Sequence, residues 1–222
     1  MSNPCTCALE LLGMLVGAVA WFCSLSTTLM SQWMTLSTEL LAAESYEKGL
    51  WETCVVQDVG GMECRPYDTL LGLPQDIKLA RIFMCISDAI GLLGFFVTIP
   101  GISQVKCCTS HEARWAKRAT KITGGVMYVL AGILGLIPVS YVAHNTVLQY
   151  FDQKLPDVIP RWEFGDALFI GWSAGFLHIV AGLLLFASCL DSTRSEPRFL
   201  YNHRRHELRT TDTSAKKHSE YV

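Results

Sequence analysis

Residues 47–64 read EKGLWETCVVQDVGGMEC and place two cysteines, Cys54 and Cys64, on either side of a Gly-Gly pair. Aromatic and β-branched residues precede the pair at near-alternate positions, which is typical of a strand. The two glycines are typical of a hairpin turn. We therefore predict strands at residues 32–37, 50–57 and 62–67, which together form a small antiparallel sheet.

The chain around this stretch is apolar enough for a membrane protein. Hydrophobic residues make up 50% of the 222 positions and charged residues only 17%, which is unlike an ordinary soluble domain. Four apolar runs of 21 to 24 residues are each long enough to cross a hydrocarbon core of about 30 Å as a helix. The first run lacks a basic leader and is too long for a signal peptide, so we expect it to be retained.

The predicted fold class is therefore membrane α-helical, a left-handed bundle of four transmembrane helices that carries a small extracellular antiparallel β-sheet. The predicted order is a leader at 1–7, helices at 8–29, 79–100, 122–143 and 167–190, outward loops at 30–78 and 144–166, a cytoplasmic loop at 101–121 and a tail at 191–222. The tail is polar and basic, so we expect it to be disordered.

The distribution of Lys and Arg predicts the orientation. Twelve of the 18 basic residues lie in the 101–121 segment and in the tail. Basic residues concentrate on the cytoplasmic side of membrane proteins, so both termini are predicted to be cytoplasmic.

The cysteines also divide between the outward and the cytoplasmic side. Cys54 and Cys64 are the two in an outward loop, where an oxidising compartment allows a disulfide to persist. A small sheet is marginal alone, and closing a loop of about ten residues stabilises it by on the order of 2–3 kcal/mol. Cys107, Cys108 and Cys189 lie at cytoplasmic helix ends and are either palmitoylation sites or plain free thiols.

Several motifs in fixed order resemble those of the claudin family. The first outward loop holds the main ones, and a basic residue of the second helix completes them: Trp33, Gly49, Leu50, Trp51, Cys54, Cys64 and Arg81. Three longer segments also agree: LPQDIKLARIFM at 73–84, LIPVSYVAH at 136–144 and RWEFGDALFIGW at 161–172. The likeness covers residues 9–190 and returns in the closing Tyr221-Val222 of SEYV.

The resemblance implies a tight-junction protein of the plasma membrane, with no catalytic chemistry and no cofactor. Claudins polymerise side by side in one membrane, meet claudins of the apposed cell through both outward loops, and control paracellular passage. The implied partners are this chain itself, other claudins, and PDZ-domain scaffolds that capture Tyr221 and Val222, with no nucleic acid. Trp33, Leu50 and Trp51 are expected to anchor the sheet at the outer membrane surface.

The residue after the second cysteine lines the paracellular pathway in claudins, and here it is Arg65. Because side chains alternate along a strand, Arg65, Glu63 and Gln57 are expected on the face opposite the disulfide. A fixed cation favours a cation barrier or anion preference. The alternative is that Arg65 is a solvated surface charge, neutralised by Glu63, with no role in permeation. The loop favours this alternative, since its eight acids outnumber its three bases.

The second outward loop is expected to contact the apposed cell. The resemblance assigns this role to Tyr150, Phe151 and Trp162. It also implies binding of the bacterial enterotoxin that recognises some claudins, although Asp152-Gln153 replaces the Asn-Pro pair of many claudins.

Two polar residues lie inside predicted spans, where lipid makes them costly. We expect Asp88 and His178 to face neighbouring helices and to form hydrogen bonds there, and Pro138 to bend the third helix.

Two rival functions remain to be weighed. Relatives of claudins act as accessory subunits of channels or as adhesion proteins, but they usually carry N-glycosylation sequons, which this sequence lacks. A redox enzyme would need a Cys-x-x-Cys motif, which is also missing from the sequence.

Overall fold

The computed structural model describes residues 4–37, 44–57, 60–69, 72–102, 111–151 and 161–190. This part of the chain contains four long helices: α1 at Pro4–Leu29, α2 at Gln75–Thr98, α3 at His111–Tyr150 and α4 at Asp166–Leu190. A 3-10 turn at Ile99–Gly101 follows α2 directly. Each helix is long and apolar enough to cross a membrane, and each predicted span lies within one of them when the 3-10 turn is counted with α2.

The helix α3 is much longer than its predicted span of 122–143. It has 40 residues, which corresponds to about 60 Å, twice the thickness of a hydrocarbon core. Residues 111–121 and 144–150, predicted as loop, are therefore helical. Hydropathy marks only where the side chains become polar, whereas the helix continues as long as its backbone hydrogen bonds and packing partners do. The helix is also unbroken across Pro138.

The helices pack through small side chains and turn large apolar ones outward. Gly132 of α3 lies so close to α4 that a Cβ there would be 2.7 Å from the carbonyl oxygen of Gly175. Large apolar side chains are exposed on the outside of every helix, among them Leu15, Phe22, Leu93, Ile133 and Phe176. This distribution fits a bundle surrounded by lipid.

Polar contacts connect α1 to its neighbours within the bundle. The Asp88 carboxylate accepts hydrogen bonds from Ser24 Oγ at 2.5 Å and Thr28 Oγ1 at 2.8 Å, which confirms the expectation for Asp88. A buried ion pair joins Lys121 Nζ of α3 to Glu10 Oε1 of α1 at 2.7 Å. Partners of this kind make charged groups tolerable at helix interfaces.

The expectation for His178 is only half correct. The imidazole is buried and faces Tyr128 of α3, with 6.0 Å between ring centroids. Its Nδ1, however, lies 3.1 Å from the carbonyl oxygen of Ala174 in its own helix, and its Nε2 has no partner among the described residues. A short-range carbonyl one turn away satisfies one ring nitrogen, so the predicted bond to a neighbouring helix is wrong.

The sheet lies at one end of the bundle and has five antiparallel strands in the order β4-β3-β2-β1-β5. They are β1 at Met34–Ser37, β2 at Glu44–Lys48, β3 at Glu52–Gln57, β4 at Gly61–Pro66 and β5 at Glu163–Phe164. The three predicted strands correspond to β1, β3 and β4. Gly61 has a φ of 86°, so the predicted glycine turn between β3 and β4 is confirmed.

A shared apolar core holds the sheet against the helices. Trp33 and Leu50 are 0% exposed and pack with Ile77, Met84 and Leu168 of the helices. Their predicted place at the membrane surface is therefore wrong, because side chains of the helices and of the loop bury them completely. Trp51, which is 41% exposed, remains partly at the surface.

Candidate functional site: the sheet and its attachment to the helices

The two cysteines of the central hairpin are bonded to each other. Cys54 of β3 and Cys64 of β4 are direct cross-strand partners with their Cα atoms 4.0 Å apart, and their sulfurs form a disulfide. Cys54 is buried, whereas every residue of β4 is exposed. The disulfide therefore ties an exposed edge strand to the covered part of the sheet, as predicted.

Two signature tryptophans bond to the end of α1. The last carbonyl groups of a helix have no partner within it. Trp33 Nε1 donates to the Thr27 carbonyl and Trp51 Nε1 to the Thr28 carbonyl, each at 2.8 Å. The indoles thus satisfy two of the open carbonyls and fix the start of the loop relative to α1.

The glycine of the Gly-Leu-Trp triplet allows this close approach. A Cβ on Gly49 would lie 2.6 Å from the Cα of Ser31 and 2.9 Å from the carbonyl oxygen of Met30. Any larger residue would push β2 away from the chain that leaves α1. The requirement for glycine here is therefore steric.

Arg81 of α2 holds the other side of the triplet. Its Nε donates to the Leu50 carbonyl, and its guanidinium carbon lies 4.8 Å from the Trp51 ring centroid and 5.3 Å from that of Tyr67. The Tyr67 hydroxyl donates in turn to the Gly49 carbonyl at 3.2 Å. Arg81 is buried among these groups, so its role in the structure is to bind the sheet to α2.

Sequence reasoning missed several residues of this attachment. The buried carboxylate of Glu47 accepts hydrogen bonds from Gln32 Nε2 at 2.8 Å and Ser31 Oγ at 3.2 Å. Gly165 N donates to the Trp33 carbonyl at 3.1 Å and so links the residue before β1 to the start of α4. A glutamate in a polar loop gives no sequence signal of burial, whereas Gly165 lies in the RWEFGDALFIGW segment that resembles claudins.

Arg65 and Glu63 lie on the face of the hairpin opposite the disulfide. The register pairs Thr53 with Arg65 and Val55 with Glu63, two positions that alternate with the Cys54–Cys64 pair. Both charged side chains are exposed, and no ion pair joins them or connects either one to another described residue. Gln57 ends β3 on the same face.

The three aromatic residues assigned to the second loop fall in two places. Tyr150 and Phe151 stand together at the end of α3 with ring centroids 5.3 Å apart, and Phe151 is 70% exposed. The Arg161 guanidinium donates to the Tyr150 carbonyl and covers its ring. Trp162 is instead half-buried beneath Lys48 of β2, so the three do not form one exposed patch.

Of the remaining predicted site residues, the structure describes only Cys189. Cys107, Cys108, Tyr221 and Val222 fall outside the described residues. Cys189 is only 4% exposed, which does not favour acylation of its thiol in this conformation.

Comparison with known proteins agrees with this architecture. The model of the PMP-22/EMP/MP20/Claudin family matches residues 7–185. Claudin-7 of Mus musculus is 33% identical over 187 residues, which are 83% of this chain and 87% of the relative. Claudin-1 of Rattus norvegicus is 32% identical over 192 residues, 85% of this chain and 90% of the relative.

A third relative, the claudin-like protein ZF-A9 of Danio rerio, is 35% identical over 183 residues, 81% of this chain and 86% of the relative. The matched region contains the four helices from residue 7 to residue 185 and the whole described sheet. Together with the disulfide and the four apolar helices, these matches show that the chain is a multi-pass membrane protein of the claudin family.

Proposed function

We propose that the chain is a tight-junction strand protein. Copies associate side by side within one membrane and with copies on the apposed cell, and the resulting strands control the passage of ions and solutes between cells. Membership of the claudin family supports this function, since all the relatives named above are claudins or claudin-like. The matching family also includes PMP-22, EMP and MP20.

One structural observation carries the proposal. The sheet is linked covalently at Cys54–Cys64, bonded to α1 through two indoles and held to α2 by Arg81. A surface that must bear contacts between cells needs such rigid support, because a sheet of five short strands is marginal by itself. The attachment leaves β4 and its outer face exposed for contact with other copies.

The sheet side is proposed to face the outside of the cell. An outward position suits the disulfide, which persists in oxidising compartments. It also leaves twelve of the 18 basic residues on the cytoplasmic side. On that side, PDZ-domain scaffolds are proposed to capture Tyr221 and Val222. Weaker scaffold pull-down after deletion of this pair is the expected result.

Arg65 is proposed to disfavour cations in the paracellular pathway. It is exposed and forms no ion pair within the part of the chain that the structure describes, so its charge is available. Two unit charges 4 Å apart interact by about 4 kcal/mol at an effective dielectric near 20, which is enough to bias permeation in a narrow passage. Glu63 on the same face opposes this bias.

Tyr150 and Phe151 are proposed as contacts to the apposed cell. Their exposed, adjoining rings at the end of α3 form an aromatic projection beside the sheet, which suits a contact residue. Trp162 is a weaker candidate because it packs beneath Lys48.

The direct test is expression of the full chain in an epithelial line that lacks claudins. Transepithelial resistance and dilution potentials are measured across the monolayer, with untransfected cells as the control. We expect the chain to change the resistance or the ratio of sodium to chloride permeability. If the chain reaches the cell contacts but changes neither the resistance nor the permeability ratio, the proposal is contradicted.

A further inference from the structure

A cavity of about 110 Å³ lies where β1 and β2 meet the start of α2 and the end of α3. Its wall contains one cation, one carboxylate and one large aromatic ring: Lys48, Asp76 and Trp162. The side-chain amides of Asn145 and Gln149 also line it, as does Thr146, whose hydroxyl donates to the Val142 carbonyl. This combination of groups belongs neither to the disulfide hairpin nor to the attachment of the sheet to α1 and α2.

Lys48 is a half-buried cation that is in no ion pair with a described residue. Its Nζ lies 5.9 Å from the centroid of the Trp162 ring. No ion pair joins Lys48 to Asp76 or to any other residue of the described ranges. Burial lowers the pKa of the Lys48 ammonium, and the Asp76 carboxylate opposes that shift. A desolvated ammonium gains stability from any anionic group that enters the cavity.

Three further polar groups of the cavity are also open to a ligand. The amides of Asn145 and Gln149 and the indole N–H of Trp162 have no hydrogen-bond partner among the residues that the structure describes. Asp76 lies in the first turn of α2 and adds a negative charge to the same wall. One positive and one negative charge in one cavity favour a ligand that carries both.

The position of the cavity relative to the membrane indicates where such a ligand comes from. Val142 of the lining lies inside the predicted span 122–143, and Ile77 lies two residues before the span 79–100. Gln149 is six residues beyond residue 143, about 9 Å along a helix. Polar headgroups extend roughly 5–8 Å beyond the hydrocarbon on each side. The cavity is therefore level with the headgroups of the leaflet on the sheet side.

We propose that this cavity binds the headgroup of a zwitterionic phospholipid, with the phosphate at Lys48 and the ammonium at Asp76. The amides and the indole N–H supply further donors to the phosphate oxygens. A compact headgroup suits the small volume, so ethanolamine is favoured over the bulkier trimethylated choline.

The test is selective retention of lipid by the full chain. The protein is reconstituted in nanodiscs of equal parts phosphatidylethanolamine and phosphatidylglycerol, and the lipids that remain bound after mild detergent treatment are counted by native mass spectrometry. Wild type is expected to retain phosphatidylethanolamine. Lys48→Met should lower that retention about ten-fold, since a charge-assisted hydrogen bond is lost. Lys78→Met is the matched control, because Lys78 lies at the same end of α2 outside the cavity.

A second variant separates recognition from misfolding. Asp76→Asn removes the group that repels an anionic headgroup, so retention of phosphatidylglycerol should rise, whereas a misfolded protein would lose both lipids. Equal retention of the two lipids by wild type, or unchanged retention by Lys48→Met, would overturn the proposal. Binding of soluble O-phosphoethanolamine without any retained phosphatidylethanolamine would overturn the membrane source of the ligand.

Discussion

At the scale of single residues, Arg81 shows why one basic residue is needed on α2. Its Nε bonds to the Leu50 carbonyl, while its flat guanidinium lies against the rings of Trp51 and Tyr67. Lysine has neither the fixed donor geometry nor the planar surface. The position therefore calls for arginine in particular, rather than for any positive charge.

We predict that Arg81→Lys lowers the stability of the folded protein by about 1–3 kcal/mol, because a lysine ammonium cannot keep both the fixed bond to the Leu50 carbonyl and the flat contacts with the two rings. The measurement is thermal unfolding of the purified protein in detergent, with Lys78→Arg as the control. Equal melting temperatures for Arg81→Lys and wild type would show that the guanidinium contacts contribute nothing.

Arg65 differs from Arg81 because it is exposed and contributes little to stability. We predict that Arg65→Asp leaves surface expression unchanged and raises the permeability of sodium over chloride, whereas Arg65→Lys retains the wild-type ratio. The measurement is the dilution potential across monolayers that express each variant. An unchanged potential for Arg65→Asp would remove Arg65 from the pathway.

At the scale of elements, the contact between α1 and the sheet depends on two indole donors that differ in burial. Trp33 is fully buried, so when its indole N–H is removed, no water reaches the Thr27 carbonyl to replace the lost hydrogen bond. Trp51 is partly exposed, so water replaces its bond to Thr28. We predict that Trp33→Phe destabilises the protein by about 1–3 kcal/mol and Trp51→Phe by less.

Thermal unfolding of both variants under identical conditions checks this order. The two substitutions remove the same atoms, so each is the matched control for the other. A larger loss of stability for Trp51→Phe than for Trp33→Phe would contradict this order. It would mean that the hydrogen bond of the buried indole to the end of α1 contributes little.

The elements also show what the sequence predicts and what it does not. Apolar and β-branched residues predict the strands β1 and β3, and the glycine turn predicts β4 after it, so local signals were enough to find all three. Strand β2, ESYEK, is polar and is a strand because β1 and β3 bond to both of its edges. Strand β5 has two residues and exists only through its pairing with β1. Such tertiary pairing leaves no local signal.

The candidate site divides in the same way. The resemblance to claudins identified Trp33, Gly49, Trp51 and Arg81, but it did not say that they bond the sheet to the ends of α1 and α2. The buried position of Glu47 and the cavity beside Lys48 were missed, because burial of polar groups depends on how distant elements meet.

At the scale of the whole molecule, the helices anchor a covalently linked sheet to the membrane. The disulfide ties the exposed hairpin to the inner strands, and the core around Trp33 fixes the sheet to the helices. We predict that Cys54→Ser with Cys64→Ser lowers the stability of the sheet by about 2–3 kcal/mol. Faster proteolysis of the sheet segment in intact cells, compared with a Cys23→Ser control, is the measurement.

The most direct test of the central claim is freeze-fracture electron microscopy of cell contacts. Cells without claudins are made to express either the full chain or the Cys54→Ser, Cys64→Ser variant, at matched surface levels. The account predicts continuous intramembrane strands where two expressing cells meet, and few or none for the variant. Scattered particles without strands in cells that express the wild-type chain would contradict it.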